Sequence, residues 1–231
     1  MRLDGKIVLI AGGSGALGQT VVPAFSKVGA QVIMVDRNPP SVQVEGRVAM
    51  TADVTDEADV QRLVDDVIRT HGHIDALINL VGGFAWGHVV ETDASLWQRM
   101  LTMNLTAAFL LSKAVLPHMV ARGTGRIVHV AAWAAVEPFP GAAAYIASKS
   151  SLLALIKVLA LELSGSGVTV NGVLPNTIDT PANRASMPQT DPSTWTKPES
   201  IANSCSFSFP KKPARSVEQP FQSVSAAVRS L

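Results

Sequence analysis

Short apolar runs alternate with longer helical stretches, and a glycine-rich turn follows the first run; together they predict an α/β chain built on a parallel sheet. Residues 6–11 (KIVLIA) read as the first buried strand and residues 15–29 as the helix after it. Residues 31–36 and 47–52 are the second and third strands. Residues 56–71 are helical, with Val60, Leu63, Val64, Val67 and Ile68 on one stripe. A strand at 74–81, a long helix at 95–122, a strand at 126–131, a second long helix at 143–164 and a strand at 168–174 complete the pattern. Right-handed crossovers between such strands give a doubly wound, Rossmann-like sheet, whose ligands sit at the carboxyl ends of the strands.

The 231 residues are 47% apolar, which suits one domain able to fill a core. Nineteen basic and eighteen acidic residues leave a net charge of +1 with no basic stripe, which argues against a nucleic-acid partner. One cysteine, Cys205, excludes an internal disulfide framework and a thiolate metal cluster. His71, His73, His88, His118 and His129 show no zinc spacing, and the pair beside the turn glycine reads as solvated. Asp4 and Lys6 interrupt any leader-like apolar stretch, and no run approaches the ~18 uncharged apolar residues of a membrane span. The composition describes a cytoplasmic chain with no membrane partner and no metal.

Residues 11–18 (AGGSGALG) join the first strand to the first helix. In that context Gly12, Ser14, Gly15, Ala16, Leu17 and Gly18 form a phosphate-binding turn, because glycines let a pyrophosphate approach the backbone and the helix start supplies N–H donors. Eighteen residues after Gly18, Asp36 ends the second strand. A carboxylate there accepts hydrogen bonds from ribose hydroxyls and repels a 2′-phosphate, which favours NAD(H) over NADP(H). Arg37 pulls the other way, since a guanidinium attracts that phosphate.

The chain has a single tyrosine, Tyr145, and Lys149 stands four residues on, on the same helical face. A nearby ammonium is expected to lower the phenol's pKa toward working pH and make it a proton donor or acceptor during hydride transfer. Residues 138–144 deliver this helix from the carboxyl end of a strand, and Asn104 places a polar amide inside the other long helix.

These landmarks, with Asp53-Val54, Asn79-Leu80-Val81-Gly82 and the stretch from Pro175 to Thr180, resemble the short-chain dehydrogenase/reductase family over residues 1–203. The resemblance implies that Asp53 and Val54 contact adenine, that Asn79 and Gly82 line the cofactor cleft, and that Pro175, Thr177 and Thr180 lie beside the cofactor, Thr180 at the carboxamide. It gives Tyr145 the acid/base role, Lys149 the nicotinamide ribose and Asn104 a relay water. The chain departs from the family at Ala11, Ala16, Leu80-Val81 and Asn176, and above all at Ala132, where the family carries the serine that polarises the substrate carbonyl. Losing such a donor costs on the order of 3 kcal/mol. Alanine there, the Gly-Gly-x-Gly-Ala-Leu-Gly turn and residues 173–195 are similar to quinonoid dihydropteridine reductase-like members, whose electron-poor ring needs no carbonyl polarisation. Phe84 and Trp86 would wall a flat substrate there. A carbonyl or alcohol reductase of other specificity, and a dinucleotide-binding sensor or scaffold, remain alternatives. Broad apolar faces on helices 95–122 and 143–164 predict a homodimer or homotetramer.

From Ser204 the pattern changes: Ser, Pro and basic residues replace helical periodicity, which reads as a disordered tail or as a shifted reading frame over 204–231. One permitted set of codons for residues 204–224, read two nucleotides on, encodes a run opening Leu-Leu-Phe-Leu-Leu-Pro-Glu-Glu-Ala, an apolar continuation of the kind the family has there. Sequencing the coding DNA should show that overlapping frame open; a stop codon within it refutes the shifted-frame reading.

Overall fold

The computed structural model describes residues 2–38 and 47–207. Its strands are β1 (Ile7–Ala11), β2 (Gln31–Asp36), β3 (Arg47–Thr51), β4 (Ala76–Asn79), β5 (Gly125–Val130) and β6 (Val168–Val173). They form one parallel sheet in the order β3-β2-β1-β4-β5-β6, the doubly wound arrangement that the sequence predicts. Chain order reverses between β1 and β4, where Ala11 lies beside Asn79, and the crevice of such a sheet opens at that point.

Alternation along each strand decides the layers. Val8 and Ile10 face one side with Val32, Ile78 and Val128; helices α1 (Gly18–Lys27) and α7 (Pro198–Phe207) cover that side through Val21, Val22, Phe25, Ile201 and Cys205. Ile7 and Leu9 face the other side, under α2 (Glu57–His71), α4 (Ala107–Ala121) and α5 (Ala143–Glu162). Burial on both faces explains why the strands read as continuous apolar runs. The Asp56 side chain caps α2 by accepting the Asp59 N–H at 2.8 Å.

Boundaries differ from the sequence reading in four places. The first helix begins at Gly18 because residues 12–17 are used in the turn, and β4 is shorter than residues 74–81. The stretch 95–122 is not one helix. It comprises α3 (Ala94–Leu101), a wide π turn at Thr102–Thr106 and α4, with the Ala107 N–H donating to Thr102 O. The break expected at Ser204 is not found among the described residues, because Ile201, Ala202 and Cys205 share one face that packs on α1 and keeps α7 helical through Phe207. The rest of the irregular tail, residues 208–231, lies outside the described residues. By length and composition, the helical stretches Ala94–Ala121 and Ala143–Glu162, with mean hydropathies of 1.3 and 1.5, could each span a membrane, which a search for uncharged runs does not predict. Here both lay apolar side chains on the sheet.

At the amino end of the sheet a buried carboxylate ties three segments together. Asp75 accepts the Ile7 N–H at 2.9 Å and Lys6 Nζ at 3.1 Å, with His73 Nε2 at 3.0 Å and Arg122 Nη2 at 3.4 Å. His73 therefore has a partner, contrary to its reading as solvated. Burial alone would raise the Asp75 pKa; the Ile7 N–H, then Lys6 and His73, outweigh it and hold the carboxyl below its ordinary value. A depressed carboxylate stabilises the fold above the unfolded-chain pKa and loses that contribution as pH falls through the lower folded value. Asp75→Asn should therefore cost about 1–3 kcal/mol in urea denaturation at neutral pH. The gap from the unchanged protein should narrow in acid; a gap that widens there contradicts this account.

Candidate active site

The turn after β1 packs more closely than any side chain would permit. A Cβ on Gly18 would stand 2.2 Å from Gly13 O, so α1 meets the turn only with glycine there. Among the described residues no partner takes the N–H groups of Ala16, Leu17 or Gly18 at the start of this helix, which leaves donors for an anion. The Asp36 carboxylate crosses to the same turn. Its Oδ2 accepts the Ser14 N–H at 3.2 Å and its Oδ1 the Arg37 N–H at 2.8 Å, so each oxygen keeps a lone pair for a hydroxyl. Asp53 is held below the usual carboxylate range by the Thr55 hydroxyl at 2.6 Å, then by the Thr55 N–H, with a smaller contribution from the Arg37 charge. Val54 beside it is buried.

At the other end of the crevice the π turn swings Asn104 fully inside. Its Oδ1 accepts the Gly83 N–H at 2.9 Å, while Nδ2 donates to Gly83 O at 3.0 Å and to Ser148 Oγ at 2.9 Å. Ser148 Oγ in turn donates to Tyr145 O at 2.7 Å. Both amide hydrogens are thus engaged by the chain, and the side chain offers no free N–H to a water. Lys149, on the same helix, is buried with Nζ donating to Val130 O at 2.8 Å. Gly82 borders both groups: a Cβ there would lie 2.7 Å from Asn104 Oδ1 and 3.1 Å from Lys149 Nζ, so glycine keeps the amine approachable. Asn79 and Gly82, from one turn, are gathered here with the distant Asn104 and Lys149, whereas Ser148 and Gly83 carried no signal beyond their polarity or small size.

The protonation state differs from the sequence expectation. Burial pushes Tyr145 up to about 12 and Lys149 down to about 8. The ammonium does not lower the phenol in the protein alone, because its hydrogen bond goes to the β5 carbonyl and desolvation dominates at both groups. Aromatic rings line the mouth. Phe84 packs edge-on against Tyr145 with centroids 4.8 Å apart, Trp86 against Phe84 at 4.9 Å, and Phe139 beside Trp86 at 5.8 Å. Phe84 and Trp86 are 47% and 60% exposed, so their rings present apolar surface at the mouth. Phe139 is the member that sequence reasoning missed. Ala132 sits buried in extended backbone just past β5, with no hydroxyl in its place. Pro175 O accepts the Trp133 N–H at 2.9 Å, Thr177 O accepts the Thr196 N–H at 2.8 Å, and the Thr180 hydroxyl caps α6 (Pro181–Ser186) through the Asn183 N–H at 3.2 Å. These bonds fold the segment after β6 into a fixed ledge. Among the described residues no group of His, Cys, Asp and Glu could hold a metal.

A crevice at the switch point, a donor-rich helix start and a carboxylate with free lone pairs beside it suit a nicotinamide dinucleotide, and the comparisons with known proteins show the family. Residues 6–191 match the family model described as short chain dehydrogenase. The 2-(S)-hydroxypropyl-CoM dehydrogenase 3 of Xanthobacter autotrophicus is 34% identical over 186 residues, spanning 77% of this chain and 73% of that protein. A 3-oxoacyl-acyl-carrier-protein reductase, FabG of Thermotoga maritima, is 30% identical over 190 residues, 78% of this chain and 77% of its own length. The crystal structure of 3-ketoacyl-(acyl-carrier-protein) reductase from Brucella melitensis, complexed with NADH, aligns with a TM-score of 0.79 at 27% identity over 89% of this chain and 91% of that one. The chain belongs to the short-chain dehydrogenase family and is an NAD(P)-dependent oxidoreductase.

Because Tyr145 is the only tyrosine, alkaline absorbance titration reads its phenol alone. In the nucleotide-free protein tyrosinate should stay absent through pH 10, the ordinary phenol value, and appear only near about 12. A midpoint below 10 would show that Lys149 governs the phenol after all.

Proposed function

We propose that the protein reduces a small, flat, conjugated substrate with NADH, Tyr145 donating the proton. The observation that carries this reading is the Phe84 ring packed against Tyr145, with Ala132 where the family's carbonyl-polarising hydroxyl stands. When bound, the nicotinamide dinucleotide supplies the hydride. Tyr145 is protonated throughout neutral pH, the form that can give a proton to a ring nitrogen or oxygen as charge builds there. Lys149 would hold the nicotinamide ribose with its buried amine, and Asn104 would keep Gly83 and α5 in register around the phenol, a relay water falling to its remaining oxygen lone pair. Gly12, Ser14, Gly15, Ala16, Leu17 and Gly18 would cradle the pyrophosphate, with Asp53 and Val54 at the adenine and Pro175, Thr177 and Thr180 at the carboxamide end. Asp36, with a free lone pair on each oxygen and its negative charge, supports NAD(H) over NADP(H); the Arg37 charge acts on Asp53 as well.

A quinonoid dihydropterin fits the substrate class, since its electron-poor ring accepts hydride without a polarising hydroxyl. The names of the relatives favour a second reading, an alcohol or carbonyl substrate bound in the same cleft. A homodimer or homotetramer through α4 and α5 is part of the proposal, because Phe109, Val120, Val158 and Leu161 leave apolar surface outward, and Phe109 and Val120 line, with Leu159, a groove of about 410 Å³.

Stopped-flow oxidation of NADH against quinonoid dihydropterin and a panel of carbonyl compounds separates the two readings. Tyr145→Phe should retain NADH binding and lose turnover by a hundredfold or more, on the order of general acid catalysis. Ala132→Ser should speed carbonyl reduction by roughly tenfold or more and leave the pterin rate alone. Turnover of carbonyls alone by the unchanged protein overturns the flat-ring reading.

A further inference from the structure

The crevice floor contains a second buried polar run that the chemistry above does not use. His129 sits fully buried in β5 among apolar strand residues. Its Nδ1 lies 3.3 Å from Asn79 Nδ2 and its Nε2 3.0 Å from Ser112 Oγ. The Ser112 hydroxyl donates to Ala108 O at 2.8 Å, so it has no hydrogen left for the ring and must accept from Nε2–H. Nδ1 is then a bare lone pair that takes the Asn79 NH₂. That fixes which way the Asn79 amide points, and its Oδ1 accepts the Val81 N–H at 3.0 Å. The run has one hydrogen-bond direction, set by a helix carbonyl in α4 and ending on the turn out of β4.

We infer that His129 is a positioning residue, a neutral Nε2–H imidazole that orients Asn79 and through it shapes the turn of residues 80–83 along the cofactor cleft. What that turn serves rests on the oxidoreductase reading; its shape does not. The next residue along β5, Val130, receives the Lys149 amine, so two adjacent residues of one strand hold two neighbouring parts of the cleft. Burial, and secondarily the Lys149 charge, push the imidazole down to about 3, which keeps it neutral at working pH. A ring protonated at Nδ1 would turn the Asn79 oxygen toward itself and leave the Val81 N–H without its acceptor.

Three variants and two readouts test this. Glutamine can accept at Oε1 and donate at Nε2, so His129→Gln should keep NADH affinity within about threefold of the unchanged protein by calorimetry. His129→Leu and Ser112→Ala should each weaken it, the former by about tenfold, the loss of a buried neutral hydrogen bond. Side-chain nitrogen NMR should show His129 bare at Nδ1, protonated at Nε2 and unchanged between about pH 5 and pH 8, where ordinary histidines titrate. The amide signals of Val81, Gly82 and Gly83 should move in His129→Leu and return in His129→Gln. A proton on Nδ1, or glutamine falling as far as leucine, or amides that stay still in the leucine variant, overturns the inference. Should the leucine variant not fold, His129→Gln against Ser112→Ala makes the same distinction. Uptake of neither NADH nor NADPH by the unchanged protein would sink the oxidoreductase reading instead, while the nitrogen and amide signals still decide the histidine's part.

Discussion

A buried amide must place its hydrogen bonds on the chain itself, and the clamp of Asn104 on Gly83 is the constraint around which the site is arranged. Three elements meet in it. The π turn brings Asn104 inward, the loop after β4 presents Gly83, and α5 offers Ser148, which passes the bond to the backbone carbonyl of Tyr145. A regular helix through residues 102–106 would rotate the amide away from both partners, so the irregular turn is how one polar side chain reaches across two apolar helices.

The same crevice holds a positive charge that the fold does not neutralise. Among the described residues no carboxylate pairs with Lys149, whose amine has a carbonyl for a partner and is pushed down to about 8 by burial. Desolvation also keeps the neighbouring phenol protonated. The buried amine disfavours the folded state at neutral pH, since its lowered pKa is a desolvation cost, and perturbed groups of this kind cluster at functional sites. By contrast, Asp75 at the opposite end of the sheet is surrounded by Lys6, His73 and Arg122 and belongs to the scaffold.

Around the phenol the surface is aromatic. The Phe84, Trp86 and Phe139 rings present edges and faces rather than donors, and Ala132 adds no polarity. Such a surface offers stacking area rather than hydrogen-bond donors.

The layered sheet, the glycine-rich turn and the Tyr145/Lys149 pair are written in local patterns: apolar runs of strand length, glycines between strand and helix, and a spacing of four. Periodicity could not reveal the break in residues 95–122, because α3, the π turn and α4 have continuous apolar composition and the extra backbone residue leaves no mark on it. Nor could it show that α7 continues past Ser204, where burial of Cys205 against α1 overrides serine-rich local preference. His129 looked like one scattered histidine; only the sheet and α4 bring Asn79 and Ser112 to its two nitrogens. The phenol's charge state was likewise outside the reach of spacing, since it depends on how much water the folded walls exclude. Residue order determined which groups could meet, and the packing of distant segments decided which hydrogen bonds and protonation states they adopt.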